Sequence, residues 1–183
     1  MERTEAFSLA FRYGILLVVG VANLILGDSG LFYTLFTPIT IDPVFYFLNI
    51  IYEGVTVFGT DTVFLGGYYA TIIPACVAGS AYYLLLILNM TTPMSVKKRI
   101  SCLIFVFALF LAMNIARIVL FGTLLSKGYQ YFDVAHLAMW YFGSTILVAF
   151  IWFSAIFLFK IKEAPVFTDV QRIVRDVRCT DHA

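Results

Sequence analysis

Long apolar segments separated by short polar breaks dominate the pattern of the chain. A helix needs about 20 mostly apolar residues to cross a membrane, and about four segments reach or approach that length. The predicted spans cover residues 7–27, 74–94, 101–125 and 135–159. Turn or charge signals such as Lys97-Lys98-Arg99 separate them. The pattern therefore predicts an all-α integral membrane helical bundle, in which residues 1–163 form a single membrane-embedded domain.

Residues 31–73 show no uninterrupted span, and we expect them to be interfacial or extracellular. The apolar stretch at residues 43–53 is about half a bilayer long, which predicts an interfacial or re-entrant helix. The alternative is a two-span hairpin across residues 31–58, although Pro38 and Pro43 interrupt it. Both interpretations leave the two ends of this segment on the outer side.

A small extracellular β-hairpin is predicted within the same segment. Val55-Thr56-Val57-Phe58 and Thr62-Val63-Phe64-Leu65 are β-branched and aromatic runs, and the turn residues Gly59-Thr60-Asp61 lie between them. Residues 66–73 are then expected to continue in extended form to Pro74.

The composition supports a membrane protein. Hydrophobic residues make up 62% of the chain and charged residues 13%, whereas a soluble domain has about 45–50% and about 25%. The 19 Phe and 11 Tyr residues exclude a disordered chain. The net charge of +1 argues against a nucleic-acid partner, which requires a basic surface.

The distribution of lysine and arginine predicts the orientation, because these residues accumulate on the cytoplasmic side of membranes. In the arrangement that satisfies this rule best, all of the 12 Lys and Arg residues except Arg117 and Lys127 lie inside. The chain is then a multi-pass protein of the cell membrane, and residues 164–183 form a cytoplasmic tail.

Three chemically complementary side chains are predicted at one depth near the outer surface. Cys76 lies at the outer start of one span, and His136 lies at the outer start of the last span. Arg117 follows Arg99 by 18 residues, which is roughly 27 Å along a helix. Each residue alone has an ordinary explanation, as an inert thiol, a snorkelling arginine or an interfacial histidine. Their convergence favours a functional site, because polar groups within membrane spans are costly.

Three further residues are candidates to support this site. Asn114 shares a helix face with Arg117 and can hold the guanidinium within the bundle. Asp133 lies three residues before His136, where it can orient the imidazole or cap the helix. Ser80 falls on the same helix face as Cys76.

Neither a disulfide nor a bound metal or cofactor is expected. Cys102 is predicted about one membrane thickness from Cys76, and Cys179 lies in the tail, so no two cysteines can meet within the chain. The sequence has 2 His and lacks the CxxC, HExxH, Walker and dinucleotide-binding motifs.

The three central residues predict acyl transfer from a peptide bond. A thiolate next to a cation is an effective nucleophile for carbonyl groups. Arg117 can favour the Cys76 thiolate or stabilise an oxyanion, and His136 can exchange a proton with the nucleophile or the leaving amine. The first step would form a thioester on Cys76 and release a C-terminal peptide, after which water gives proteolysis and an amine gives transpeptidation.

The chain resembles the exosortase/archaeosortase family over roughly residues 37–159. The resemblance rests on the segment Pro74-Ala75-Cys76-Val77-Ala78-Gly79-Ser80, on Asn114-Ile115-Ala116-Arg117-Ile118, and on Asp133-Val134-Ala135-His136. Their order and spacing are similar to the family's Cys, Asn-x-x-Arg-Ile and third basic residue. Val77 and Ala78 follow the cysteine where the family often has Ser-Gly.

The resemblance implies a substrate class and residue roles. Family members process secreted proteins that carry a C-terminal sorting signal, composed of a short motif, a transmembrane helix and a basic cluster. Some archaeal members are thought to replace that helix with a lipid anchor, and the small size of this chain is closer to the archaeal branch. By this resemblance Cys76 is the nucleophile, Arg117 its electrostatic partner and His136 the third member.

Two other functions can account for some of these residues. A non-enzymatic membrane subunit, such as a small transporter component, could bind an anion through Arg117 and His136. A membrane thiol oxidoreductase would need a second outward-facing cysteine, which the sequence lacks.

Overall fold

The computed structural model describes residues 3–26, 30–59 and 61–161. The predicted cytoplasmic tail, with Cys179, lies outside the described residues. In chain order the elements are α1 (Arg3–Leu26), α2 (Leu31–Ile51), β1 (Thr56–Phe58), β2 (Thr62–Leu65), β3 (Tyr68–Thr71), α3 (Pro74–Val77), α4 (Gly79–Thr91), α5 (Val96–Ser126), α6 (Phe132–Ala138), a π-helical turn (Met139–Gly143) and α7 (Ser144–Phe159).

Three helices are long and apolar enough to cross a membrane. They are Leu31–Ile51, Val96–Ser126 and the continuous helix Phe132–Phe159, which comprises α6, the π-helical turn and α7. The segments Phe11–Asn23 of α1 and Ala75–Thr91 around α4 are apolar but shorter. This mostly helical architecture with a small sheet is consistent with a membrane protein.

Helix α2 differs from the prediction for residues 31–58. It is a single helix of 21 residues that contains both Pro38 and Pro43, rather than a half-length interfacial helix at 43–53 or a two-span hairpin. Prolines are tolerated inside apolar helices when neighbouring groups satisfy the backbone atoms that they leave unpaired. The helix buries one face, formed by Phe32, Phe36, Thr40, Ile41, Val44 and Leu48.

Side-chain contacts show that α2 runs parallel to α5. Near its start, Phe36 lies against Phe107 with ring centroids 5.7 Å apart. Near its end, Leu48 lies close to Gly122, and the Tyr52 hydroxyl donates a hydrogen bond to the Thr123 carbonyl at 3.4 Å. The C-terminal ends of α2 and α5 therefore lie at the same end of the bundle, which we call the site end.

The sheet at the site end has three antiparallel strands in the order β1-β2-β3. The predicted hairpin between β1 and β2 is confirmed, and Val57 pairs with Val63. The chain does not continue in extended form after β2, because it turns at Gly66 and Gly67 and returns as β3. These glycines have φ angles of 56° and 85°, which other residues adopt only at a cost.

The span predicted at residues 74–94 is broken into α3 and α4. Ala78 separates them in the left-handed conformation, with φ 56° and ψ 48°. This conformation is uncommon for a residue with a side chain, and it ends α3 one residue after Cys76. Helix α5 in turn begins at Val96, five residues before the predicted start of its span.

An aromatic cluster joins α2, α4 and α5 beneath the site end. The ring of Tyr82 stacks on Phe36 at 3.8 Å and meets the edge of Phe110 at 4.7 Å. Tyr82 is fully buried, and Phe110 is 1% exposed. Rigid packing of this kind fixes the relative height of the helices that carry the predicted site residues.

Candidate active site

Cys76 is held by the short helix α3 at the point where the chain leaves β3. Its backbone N–H donates a hydrogen bond to the Ile73 carbonyl at 2.8 Å. Its own carbonyl accepts hydrogen bonds from Asn114 Nδ2 at 2.9 Å and from an Arg117 terminal nitrogen at 3.4 Å. Two side chains of α5 therefore fix the peptide group of Cys76, and the thiol is a partly exposed free cysteine.

Arg117 links three elements through its guanidinium group. One terminal nitrogen binds the Cys76 carbonyl, and the other donates a hydrogen bond to Ser144 Oγ at 2.8 Å. The positive charge is close enough to Cys76 to interact with it electrostatically. An arginine has five N–H donors, so within the described part of the chain the guanidinium keeps donors for a ligand.

Asn114 is fully buried one helical turn from Arg117. The prediction that it acts beside the guanidinium agrees with this geometry, since both side chains bind the same carbonyl. Its Oδ1 atom has no hydrogen-bond partner among the described residues. Leaving a buried acceptor unpaired is costly, so the amide has an unused capacity beside the site.

His136 lies on α6 and lines the same cavity as Cys76 and Arg117. Its ring stacks on Phe132, with centroids 5.6 Å apart and an interplanar angle of 5°, and it meets Phe121 edge-on at 5.3 Å. His136 is exposed. No hydrogen bond joins the imidazole to Cys76 or Arg117 within the described residues, so a proton passing between them requires substrate, water or a closing movement.

The π-helical turn places His136 and Ser144 on one face of their continuous helix. Residues eight apart in an α-helix differ by about 80° in direction, at about 100° per residue. A π-helical turn accommodates one extra residue, so these two positions behave like residues seven apart and share a face. The Met139 side chain packs over Gly143 within this turn, in the space that a Cβ atom would occupy.

Ser144 was not predicted as a site residue. The available signal was a hydroxyl group within the strongly apolar segment of residues 135–159. Its alignment with His136 depends on the π-helical turn, which hydrophobic periodicity does not reveal.

The cavity at the site end has a volume of about 250 Å³. Its walls come from α2, β2, β3, α5 and α6, and most of them are apolar, including Val44, Leu65 and Ile118. Cys76, Arg117 and His136 supply polar chemistry to this apolar space. Such a mixture of apolar walls and a few convergent polar groups is typical of ligand sites.

Among the described residues, Asp133 and Ser80 do not line the cavity and form no hydrogen bond with the three central residues. Asp133 is exposed in the first turn of α6 and forms no hydrogen bond with His136 among the described residues. A negative charge at this position interacts favourably with the positive, N-terminal end of the helix dipole. Ser80 is exposed on α4 and is not part of the cavity wall. The supporting roles of Asp133 and Ser80 stay predictions.

Comparison with known proteins gives no match to a family model, a curated protein or a solved structure. The resemblance to the exosortase/archaeosortase family therefore stays a prediction that rests on the short motifs around Cys76, Arg117 and His136. The arrangement itself offers a thiol, a permanent cation and an imidazole around an apolar cavity.

Proposed function

We propose that this protein is a membrane-embedded cysteine peptidase or transpeptidase of the exosortase/archaeosortase type. Its substrates are secreted proteins with a C-terminal sorting signal composed of a motif, a transmembrane helix and a basic cluster. The observation that carries the proposal is the shared cavity of Cys76, Arg117 and His136, together with the resemblance of the motifs that contain them.

In the proposed first step, the proton of the Cys76 thiol passes through water or a substrate group to His136, and the sulfur attacks the scissile carbonyl carbon. Arg117 stabilises the negative charge, first on sulfur and then on the carbonyl oxygen. The imidazolium returns the proton to the leaving nitrogen, and the C–N bond breaks. A thioester on Cys76 and a free C-terminal fragment result.

In the second step, a nucleophile attacks the thioester and the C–S bond breaks. Water would leave a free carboxylate, whereas an amine from a lipid or envelope acceptor would form a new amide bond. His136 takes the nucleophile's proton and the thiol is restored. A site near the outer surface of the cell membrane suits substrates that are themselves anchored next to the cleavage point.

The test is co-expression with a secreted reporter whose C terminus carries a tripartite sorting signal from the source organism. We expect the wild-type protein to remove the signal helix, and Cys76→Ala to leave it attached. Cys102→Ala is the matched control and should process normally. Normal processing by Cys76→Ala refutes the proposal.

The same experiment separates the proposal from a non-enzymatic anion-binding subunit. That alternative uses Arg117 and His136 and predicts that Cys76→Ser is tolerated while Arg117→Ala is not. The apolar cavity walls and the thiol within them favour the enzyme.

A further inference from the structure

The outer edge of β3 presents backbone groups that no neighbouring strand uses. The Ile72 N–H donates a hydrogen bond to the Asp61 carbonyl at 2.8 Å. Because paired residues alternate along an antiparallel ladder, Ala70 and Tyr68 also direct their peptide groups toward β2. The N–H and C=O groups of Tyr69 and Thr71 therefore point away from β2, and they have no partner among the described residues.

This edge borders the cavity that contains Cys76. Thr71 and Ile73 line the cavity, and both residues are exposed. The chain passes directly from this edge through Pro74 to Cys76, so the edge and the thiol belong to one continuous wall.

The same cavity is lined by His136 of α6, by Trp140 of the π-helical turn and by Arg117 of α5. The strand edge and the candidate proton carrier therefore border one cavity. An extended peptide on the strand edge would lie beside the cavity that Cys76 and His136 line.

We propose that the substrate segment to be cleaved binds as an extended strand paired with the outer edge of β3. This inference rests on the proposed function and adds how the substrate is recognised. Backbone hydrogen bonds to Tyr69 and Thr71 hold the peptide, and alternate side chains face the apolar cavity. The occupant is the segment immediately before the substrate's transmembrane helix, with apolar residues at the positions that enter the cavity.

The first test removes one backbone N–H group that points away from β2, without removing any hydrogen bond between β2 and β3. Proline is tolerated at such edge positions because the lost N–H is not used within the sheet. Thr71→Pro should slow processing of the reporter about tenfold or more, because a substrate carbonyl loses its donor.

Val57→Pro is the matched control for the proline itself. Val57 lies opposite Val63 on β1, and its peptide groups point away from β2 on the far edge of the sheet. We expect Val57→Pro to retain processing. Equal processing by Thr71→Pro and wild type, with Cys76→Ala inactive, refutes strand addition and leaves the proposed function standing. Processing by Cys76→Ala refutes the proposed function itself.

A binding measurement keeps the inference testable if Thr71→Pro does not fold. The photo-crosslinker p-benzoylphenylalanine replaces Tyr69 or Val57 in the Cys76→Ala protein, and the same uncleaved reporter is co-expressed. We expect a crosslink to the reporter from position 69 and none from position 57. A crosslink from position 69 to a second copy of the protein, or equal crosslinking from both positions, overturns the inference.

Discussion

Two sets of asparagine, arginine and cysteine side chains lie toward opposite ends of α5, and they are used differently. At the end away from the site, the Arg99 guanidinium donates four hydrogen bonds to backbone carbonyls of Asn89, Met90, Thr92 and Met94, at 2.6–3.3 Å. Arg99 is 7% exposed and Cys102 is fully buried. This guanidinium binds the carbonyl groups at the C-terminal end of α4, and most of its N–H donors are used within the protein.

At the site end, the Arg117 guanidinium makes two hydrogen bonds, one of them to the Cys76 carbonyl. Cys76 is partly exposed and, like Arg117, lines the cavity. His136 completes this set, whereas no histidine accompanies Arg99 among the described residues.

The comparison teaches that residue types alone do not define a site in this chain. Both sets contain the same three residue types, yet Arg99 donates to four backbone carbonyls at and beyond the end of α4, whereas Arg117 keeps donors beside a partly exposed cysteine. The remaining donors of Arg117 are available to a substrate because Arg117 lines the cavity. The proposed chemistry therefore uses Cys76, whereas the contacts of Arg99 indicate a structural role.

The largest expected difference is between the two cysteines. Cys76→Ala should lower the rate of reporter processing about 10³-fold or more, because the nucleophile is lost. Cys102→Ala should leave the rate within about twofold and lower stability, since it removes a buried sulfur. Reporter mass and thermal unfolding of each purified variant in detergent check both expectations.

Substitution of Arg117 should lower activity, whereas substitution of Arg99 should lower stability. Arg117→Lys keeps the charge but loses the planar fork, and we expect about 10²-fold slower processing with a stably folded protein. Arg99→Lys should lower the free energy of unfolding by about 2–3 kcal/mol, because buried carbonyls lose their donors, and leave the folded fraction active. Loss of activity from Arg99→Lys without loss of stability contradicts this division.

Thiol labelling should distinguish the cysteines at the two ends of α5 by their exposure, and it needs no substrate. In a Cys179→Ser background, a water-soluble maleimide should modify Cys76 about tenfold faster than Cys102, because exposure controls thiol reactivity. Mass spectrometry of peptides locates the label. Equal labelling rates mean that the cavity does not give access to Cys76.

The smallest expected effect is at Ser144. Ser144→Ala removes one of the two hydrogen bonds of Arg117, and we expect processing about fivefold slower, which corresponds to one modest hydrogen bond. Ser154→Ala is the control, because Ser154 binds the Phe150 carbonyl within its own helix. A larger effect from Ser154→Ala shows that the helix, and not the guanidinium contact, matters.

The strongest hydrophobic segments were predictable from the sequence. Residues 101–125 and 135–159 both fall within long helices, because their length and apolarity leave few other structures. The β1–β2 hairpin was predictable from its β-branched runs and the turn between them. Cys76, Arg117 and His136 reach one cavity because the helical rise relates sequence distance to depth.

The remaining features depend on packing that the sequence pattern does not contain. Pro38 and Pro43 would end most helices in water, yet α2 continues through both against α5. The turn at Gly66 and Gly67 could have been recognised as a hairpin signal. The left-handed Ala78 and the π-helical turn, by contrast, have no local signature in composition or periodicity.

A trapped acyl-enzyme tests the central claim most directly. The wild-type protein is mixed with the reporter, quenched rapidly in acid and analysed by intact mass and peptide mapping. We predict a covalent adduct on Cys76 that adds the mass of the reporter without its signal helix minus one water, and which hydroxylamine releases as a hydroxamate. Cleavage of the reporter with no adduct on any cysteine, or an adduct on Cys102, would contradict the account.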